Sequence, residues 1–176
     1  MHTPDSTKQE LVMAFGKITD NQFNAVRGAK DDAEIVKRYA TRLSKGLNDL
    51  LNDDYPVETW GTAFSLREDG LGADLSTPFG EGRACVVVCV GAGEVQARYI
   101  FEKKCNSDGS RPAYHPVWAV RITKGGHVMT DDGSELLFDM NVFSQAARSN
   151  GVVAVALSAL YAIAEHEHYW APLADN

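Results

Sequence analysis

Basic charge is scarce in this sequence. Its 176 residues carry 17 Lys and Arg against 24 Asp and Glu, a formal charge of −7, and no third of the chain is basic. A long-range field that would gather nucleic acid or anionic lipid is therefore missing, and neither is an expected partner. The acidity is mild and even, which suits solubility better than mimicry of DNA. Cysteine is scarce too. Cys85, Cys89 and Cys105 are an odd number in a chain long enough to bury a sizeable core. Cys85 and Cys89 sit four apart in an extended run, about 13 Å along one face, too far to bond each other. Reduced thiols and a cytoplasmic location are the expectation.

A signal peptide is not written at the start, MHTPDSTKQE, which has neither a basic opening nor an apolar core. The longest uncharged apolar run covers residues 151–164. As a helix those 14 residues rise about 21 Å, short of the ~30 Å hydrocarbon slab, so a buried core helix is expected and no membrane. Repeats and low-complexity segments are absent. The composition, 44% hydrophobic and 23% charged, is that of an ordinary globular protein.

What is present has a clear order. Thr7-Lys-Gln-Glu10 has capping-box spacing ahead of Leu11, Phe15 and Ile18, and a short helical turn follows from Asp20 with Phe23 and Val26. Asp31-Asp-Ala-Glu34 opens the strongest helix. It puts Val36, Ala40, Leu43, Leu47, Leu50 and Leu51 on one stripe, with Lys37, Arg38, Arg42 and Lys45 off it. Pro56 closes this helical lead. The period then changes to two. Trp60, Thr62, Phe64 and Leu66 alternate with small or polar residues, and a short returning strand is expected over 73–76. Residues 84–90 are apolar on both faces, as in a strand buried on both sides. Val95, Ala97, Tyr99 and Phe101 alternate again, as do Trp118, Val120 and Ile122, and residues 127–130 complete the strands. Asp139 is expected to cap a helix over 140–149, stopped by Asn150-Gly151, with a second helix over 152–166. That last segment is apolar nearly all round and needs cover on more than one side, from the sheet and N-terminal helices or from a second copy. The expected fold is one α+β domain over residues 1–176. A helical lead (1–56) precedes a four- to six-stranded antiparallel meander sheet (57–138), and a C-terminal helical pair (139–170) packs on one face.

One stretch imitates a cofactor site. ACVVVCVGAGEVQARYIF, residues 84–101, resembles the first strand and glycine turn of a dinucleotide-binding unit. That turn needs a third small residue where Gln96 stands, then an amphipathic helix, then an acid about 20 residues on. Residues 94–102 alternate as a strand, and the acid's neighbourhood holds Ser110, Arg111 and Pro112. The stretch is read as a β-hairpin with Gly91 and Gly93 supplying permissive backbone angles, and no cofactor is expected.

The remaining candidates are weaker. His166 and His168 are two apart, so on a helix they point about 200° from each other, and no third residue has zinc-ligand spacing; no metal site is expected. Asp131-Asp132-Gly133 and Asn106-Ser-Asp108-Gly109 look like pieces of a calcium loop, but the frame would begin on Val128 and Lys104, so both are read as turns. Cys105, beside Lys103 and Lys104, is the expected exposed thiol. His115 and His127 with Asp131 and Asp132 could meet at one sheet end as a base and carboxylate suited to hydrolysis. Trp60, Phe64, Tyr99 and Trp118 could line a pocket in a curved sheet, with Arg98 and Arg121 at its rim. The preferred function is a non-catalytic cytoplasmic binding or accessory protein, acting through a protein partner or as a homodimer. The alternative is a small-molecule-binding protein or hydrolase using the aromatic pocket.

Overall fold

Helix α2 organises the molecule, because its apolar stripe is the surface around which the sheet is laid. The computed structural model describes residues 17–105 and 113–166. Helix α1 (Asp20–Arg27) is opened by a capping box that the sequence does carry, Thr19 with Gln22: each side chain bonds the other's backbone amide. Helix α2 (Ala29–Leu51) begins two residues ahead of the expected Asp31. Val36, Ala40, Leu43, Leu47 and Leu51 are buried on it and Leu50 is half-buried, as the spacing predicts. The further helix expected from Thr7 through Ile18 lies outside the described residues up to residue 16, and its last two residues, Lys17 and Ile18, are not helical.

Asp53 caps a short helix α3 (Asp54–Trp60), with Pro56 in its first turn, where a missing amide donor costs nothing. Trp60 therefore ends a helix instead of opening a strand. The chain turns at Gly61 (φ 64°) into strands β1 (Ala63–Leu66), β2 (Ala73–Thr77), β3 (Gly80–Gly91), β4 (Glu94–Cys105), β5 (Ala113–Ile122), β6 (His127–Thr130) and β7 (Leu136–Asp139). Neighbours in sequence are neighbours in space, all antiparallel: one curled seven-stranded meander, ordered β1 to β7. Helix α2 packs on β1, β3, β4 and β5. Phe64, Leu75, Ala84, Val95, Ala97, Tyr99, Phe101, Val120, Ile122 and Val128 form the sheet's side of the core.

The hairpin reading of residues 84–101 is borne out: β3 pairs antiparallel with β4 from Gly82–Lys103 to Gly91–Glu94. The roles of the turn residues differ from expectation. Ala92 (φ 52°) and Gly93 (φ 80°) take the two left-handed positions of a two-residue turn. Gly91 serves a different need: a β-carbon there would lie 2.5 Å from Arg121 Nη1 and 2.7 Å from Gln96 Oε1. Strand β3 is also less enclosed than its composition suggests. Val87, on the outer face, is 48% exposed, and Val90, on the inner face opposite Val95 but near the turn, is 51% exposed.

Two expectations need correcting. The sheet has seven strands, not four to six, and the unforeseen one is β7. Four residues long, it shows no legible alternation, and its register with β6 shifts between Val128 and Met129. The C-terminal helical pair is one helix, α4 (Gln145–Glu165), capped by Ser144, whose side chain accepts from the Ala147 amide. Asp139 belongs to β7 and bonds the Asn141 amide. Helix α4 runs straight through Gly151, which is buried, because a β-carbon there would overlap the ring of Phe138. The glycine permits close approach of helix to strand and is not a stop signal.

The two roles for Gly151 make opposite predictions. A glycine tolerated in a helix interior should be improved by Gly151→Ala, by up to about 1 kcal/mol. A glycine packed on Phe138 should be worsened, by about 1–3 kcal/mol, through overpacking. Urea unfolding of G151A is expected to show the loss.

Candidate functional site

The register of β4 with β5 sets Arg98 directly opposite Arg121, two cations side by side on the face of the sheet away from α2. Like charges so placed repel unless an anion joins them. Asp131, in the turn after β6, supplies it. Arg98 donates from Nε to Asp131 Oδ1 at 2.7 Å and from Nη2 to Oδ2 at 2.5 Å, a bidentate fork. Arg121 Nε donates to the Asp131 backbone carbonyl and lies 3.7 Å from Oδ1, while its Nη1 reaches Gln96 Oε1 at 3.5 Å. The Arg98 guanidinium holds the Asp131 carboxyl below its ordinary value. Three sequence candidates thus meet, but as an ion cluster in which the carboxylate's oxygens are occupied and a general base is not offered.

The other members of the supposed base–carboxylate set have different partners. Asp132 accepts from Thr130 Oγ1 and from the amide and hydroxyl of Ser134, bonds that pull its pKa down to about 2. With Gly133 at φ 74°, this is the turn that the residue types suggest. His127 faces Asp139, with Nε2 3.8 Å from Oδ2. His115, on β5, has its ring 6.4 Å from that of His166 at the end of α4. Residues 106–109, the second calcium-like stretch, and His168 lie outside the described residues.

The aromatic row is continuous and is closed at Tyr99 and Phe101, while Trp118 is half-buried. Tyr99 and Phe101 rings are 5.3 Å apart and Phe101 and Trp118 rings 5.8 Å. Tyr99 is 0% and Phe101 1% exposed. The Tyr99 hydroxyl bonds Ser44 Oγ of α2 at 2.9 Å, and burial pushes its ionisation far up. Phe64 edges a hollow of about 300 Å3 between the β1–β2 hairpin and Tyr114. Trp60 packs edge-on to Tyr55, outside the row. Arg98 and Arg121 stand on the opposite face of the sheet and rim no aromatic cavity.

Cys105 is buried at the end of β4, not exposed, and burial raises its thiol pKa against the smaller opposing effect of Lys103. The Lys103 ammonium instead donates to the Ile163 and His166 carbonyls at 2.8 and 3.0 Å. A cation thereby closes the negative end of α4, a link between elements too distant in sequence for spacing to predict. Among the described residues no cluster of three metal-binding side chains occurs.

Two further surfaces involve α4. Its residues 149–164 carry no charge. One side packs on α2, β4, β5 and β7, burying Val155, Ala156, Ala159 and Ile163. The opposite side leaves Ala154 exposed, with Leu157 and Tyr161 at 45% and 67% exposure. As one helix of 21 residues α4 is longer than the expected segment. By length and composition alone it could cross a membrane, though a third of its most apolar window is buried in the protein. Beside it, α2, β7 and the first half of α4 enclose a groove of about 600 Å3. Leu43, Leu50, Phe138, Met140, Val152 and Val153 form its apolar lining, and Arg42, Lys45, Asp49 and Arg148 add charge.

Set against protein-family models, curated proteins and solved structures, the chain matches none. Its chemistry is read from these surfaces alone.

The Arg98–Asp131 pair should behave as a structural contact. Both side chains are more than a third exposed, so a double-mutant cycle of Arg98→Ala and Asp131→Ala should give only about 0.2–1 kcal/mol of coupling. Because the folded carboxyl lies below its ordinary 3.8, the coupling is complete above that pH and fades as pH falls through the folded value. Denaturant titrations at pH 7 and in strong acid, with and without salt, would measure both effects.

Proposed function

We propose that this chain is a non-catalytic binding or accessory protein that works through the uncovered side of α4, against a second copy of itself or another protein. The observation behind the reading is the helix's lopsided burial. A surface helix ordinarily turns charged residues to water. Here the outward side carries Ala154, Leu157 and Tyr161 inside a charge-free run. Exposed apolar residues grouped on one element mark an interaction surface more often than scattered ones do. Tyrosine fits that use, since it adds a large contact area and a hydroxyl that tolerates a wet rim.

Self-association has electrostatic support. Two chains of net charge −7 repel, and the repulsion is least across a face that holds no charge from residue 149 to 164, with Glu165 at its end. The alternative, a small-molecule site or hydrolase built on the sheet's aromatic row, has less to stand on. Tyr99 and Phe101 are closed into the core, and Asp131 and Asp132 are bonded to groups other than His115 and His127.

Light scattering at micromolar concentration should find a dimer. Tyr161→Glu, which sets a charge and its two-fold mate in the contact, should weaken association at least about tenfold, equivalent to 1.4 kcal/mol. A monomeric wild-type chain under those conditions removes the interface argument. Capture by vesicles in place of dimerisation would assign the same face to lipid and overturn the proposal.

A further inference from the structure

We propose that the groove between α2 and α4 is a binding site for a medium-chain aliphatic carboxylate, a ligand with one anionic head and an apolar tail. The inference starts from two guanidiniums. Arg42 Nη2 donates to the Met140 carbonyl at 3.0 Å, with its charge 5.5 Å from the centre of the Tyr39 ring. Arg148 Nη1 donates to the Val142 carbonyl and to that of Phe143 at 3.3 Å. Both arginines are thus anchored to one short segment, residues 140–143, and gathered at one end of the groove. Their anchors are backbone carbonyls. Among the described residues neither forms an ion pair with a carboxylate, whereas Arg67, Arg83 and Arg98 each do. An arginine fork has five donors, so each keeps several for an anion.

The surroundings favour the same occupant. Lys45 adds a third cation to the lining, while Asp49 is its only acid among the described residues. This corner is positive in a chain that is negative overall. The first turn of α4, with Gln145 in the lining, adds the positive pole of a 21-residue helix at the arginine end. Asp49 lies seven residues beyond Arg42 on α2, about 10 Å along the axis, so the charge changes sign away from the head site.

The lining along that length is apolar: Leu43, Leu50, Phe138, Met140, Val152 and Val153. From Arg42 to Leu50 the groove follows α2 for about 12 Å, and 600 Å3 is the size of a small-ligand site. Gly46 puts no side chain into the floor. A β-carbon there would come 3.3 Å from Val152 Cγ2, so the two helices close beneath the ligand and leave the space above them open. A head that two guanidiniums grip and a tail that covers aliphatic side chains satisfy both parts of the lining at once. Inorganic anions would use only the first and uncharged hydrocarbons only the second.

Calorimetric titration of the full chain with decanoate, below its self-association concentration, tests the proposal. One saturable site per chain is expected. Decanol, which keeps the tail and loses the charge, should bind at least about tenfold more weakly. Acetate and inorganic phosphate, which keep charge and lose the tail, should be weaker still. Arg42→Gln and Arg148→Gln should each weaken decanoate about tenfold or more while the far-ultraviolet circular dichroism is unchanged. Should either arginine prove necessary for folding, Ser149→Trp fills the groove from an exposed position and should abolish binding. The proposal fails if decanoate shows no saturable site, if decanol or phosphate binds as tightly, or if the folded variants bind like the wild type.

Discussion

The seating of α2 in the hollow of the sheet is the contact on which the rest depends. A curled sheet of seven antiparallel strands has one face that must be dry, and the stripe Val36, Ala40, Leu43, Leu47 and Leu51 covers it along 16 residues of helix. At the centre of that contact is a polar bond, Ser44 to Tyr99, where both residues are fully buried. A hydroxyl pair in an apolar core is tolerated only when each group finds its partner, and that condition fixes the rotation and depth of the helix more sharply than leucines alone can. Ser44 also bonds the Leu71 carbonyl, tying the β1–β2 connection to the same point.

The other elements occupy what α2 leaves. Helix α4 lies beside it, over β5 and β7, and two glycines make that closeness feasible: Gly46 against Val152, and Gly151 against Phe138. The far face of the sheet is left to water, and its polar residues pair across strands. Arg83 with Glu102 and Lys104 with Glu81 are of this kind, and Arg98 reaches over β5 to Asp131 in the turn after β6. Their abundance on one face follows from the covering of the other and calls for no catalytic explanation.

Much of this was legible in the sequence because it is written in periods. The 3.6-residue stripe of α2 and the alternation of Val95, Ala97, Tyr99 and Phe101 are local signals, and each matches the buried set. The hairpin at residues 91–94 was legible because a dinucleotide turn has several requirements that fail together. What escaped was non-local. Gly151 reads as a stop until Phe138 is known to lie against it, and β7 is too short to show alternation. Arg98, Arg121 and Asp131 each stand out as polar candidates in the sequence, yet their union needs the β4–β5 register and the position of the β6–β7 turn. Arg42 and Lys45 read as the solvated side of α2, and no spacing rule says that a helix 100 residues later would make them the wall of a groove. Its signal in the sequence is indirect: Gly46 interrupts a strong helix where no turn is needed.

Helix α4 therefore carries two unlike surfaces, and their separation follows from helix geometry. The groove uses Gln145, Arg148, Ser149, Val152 and Val153, in the first three turns. The uncovered apolar side is centred on Leu157 and Tyr161, in the last three. Arg148 and Tyr161 are 13 residues apart, about 20 Å along the axis, beyond the ~10 Å over which salt leaves charges coupled. Cations at the N-terminal end can thus attract an anion without placing charge beside the apolar side. Lys103, bonded to the carbonyls at the other end, neutralises the helix pole where an uncompensated one would be next to that surface. One helix can serve both surfaces because every charge it needs is held at its two ends.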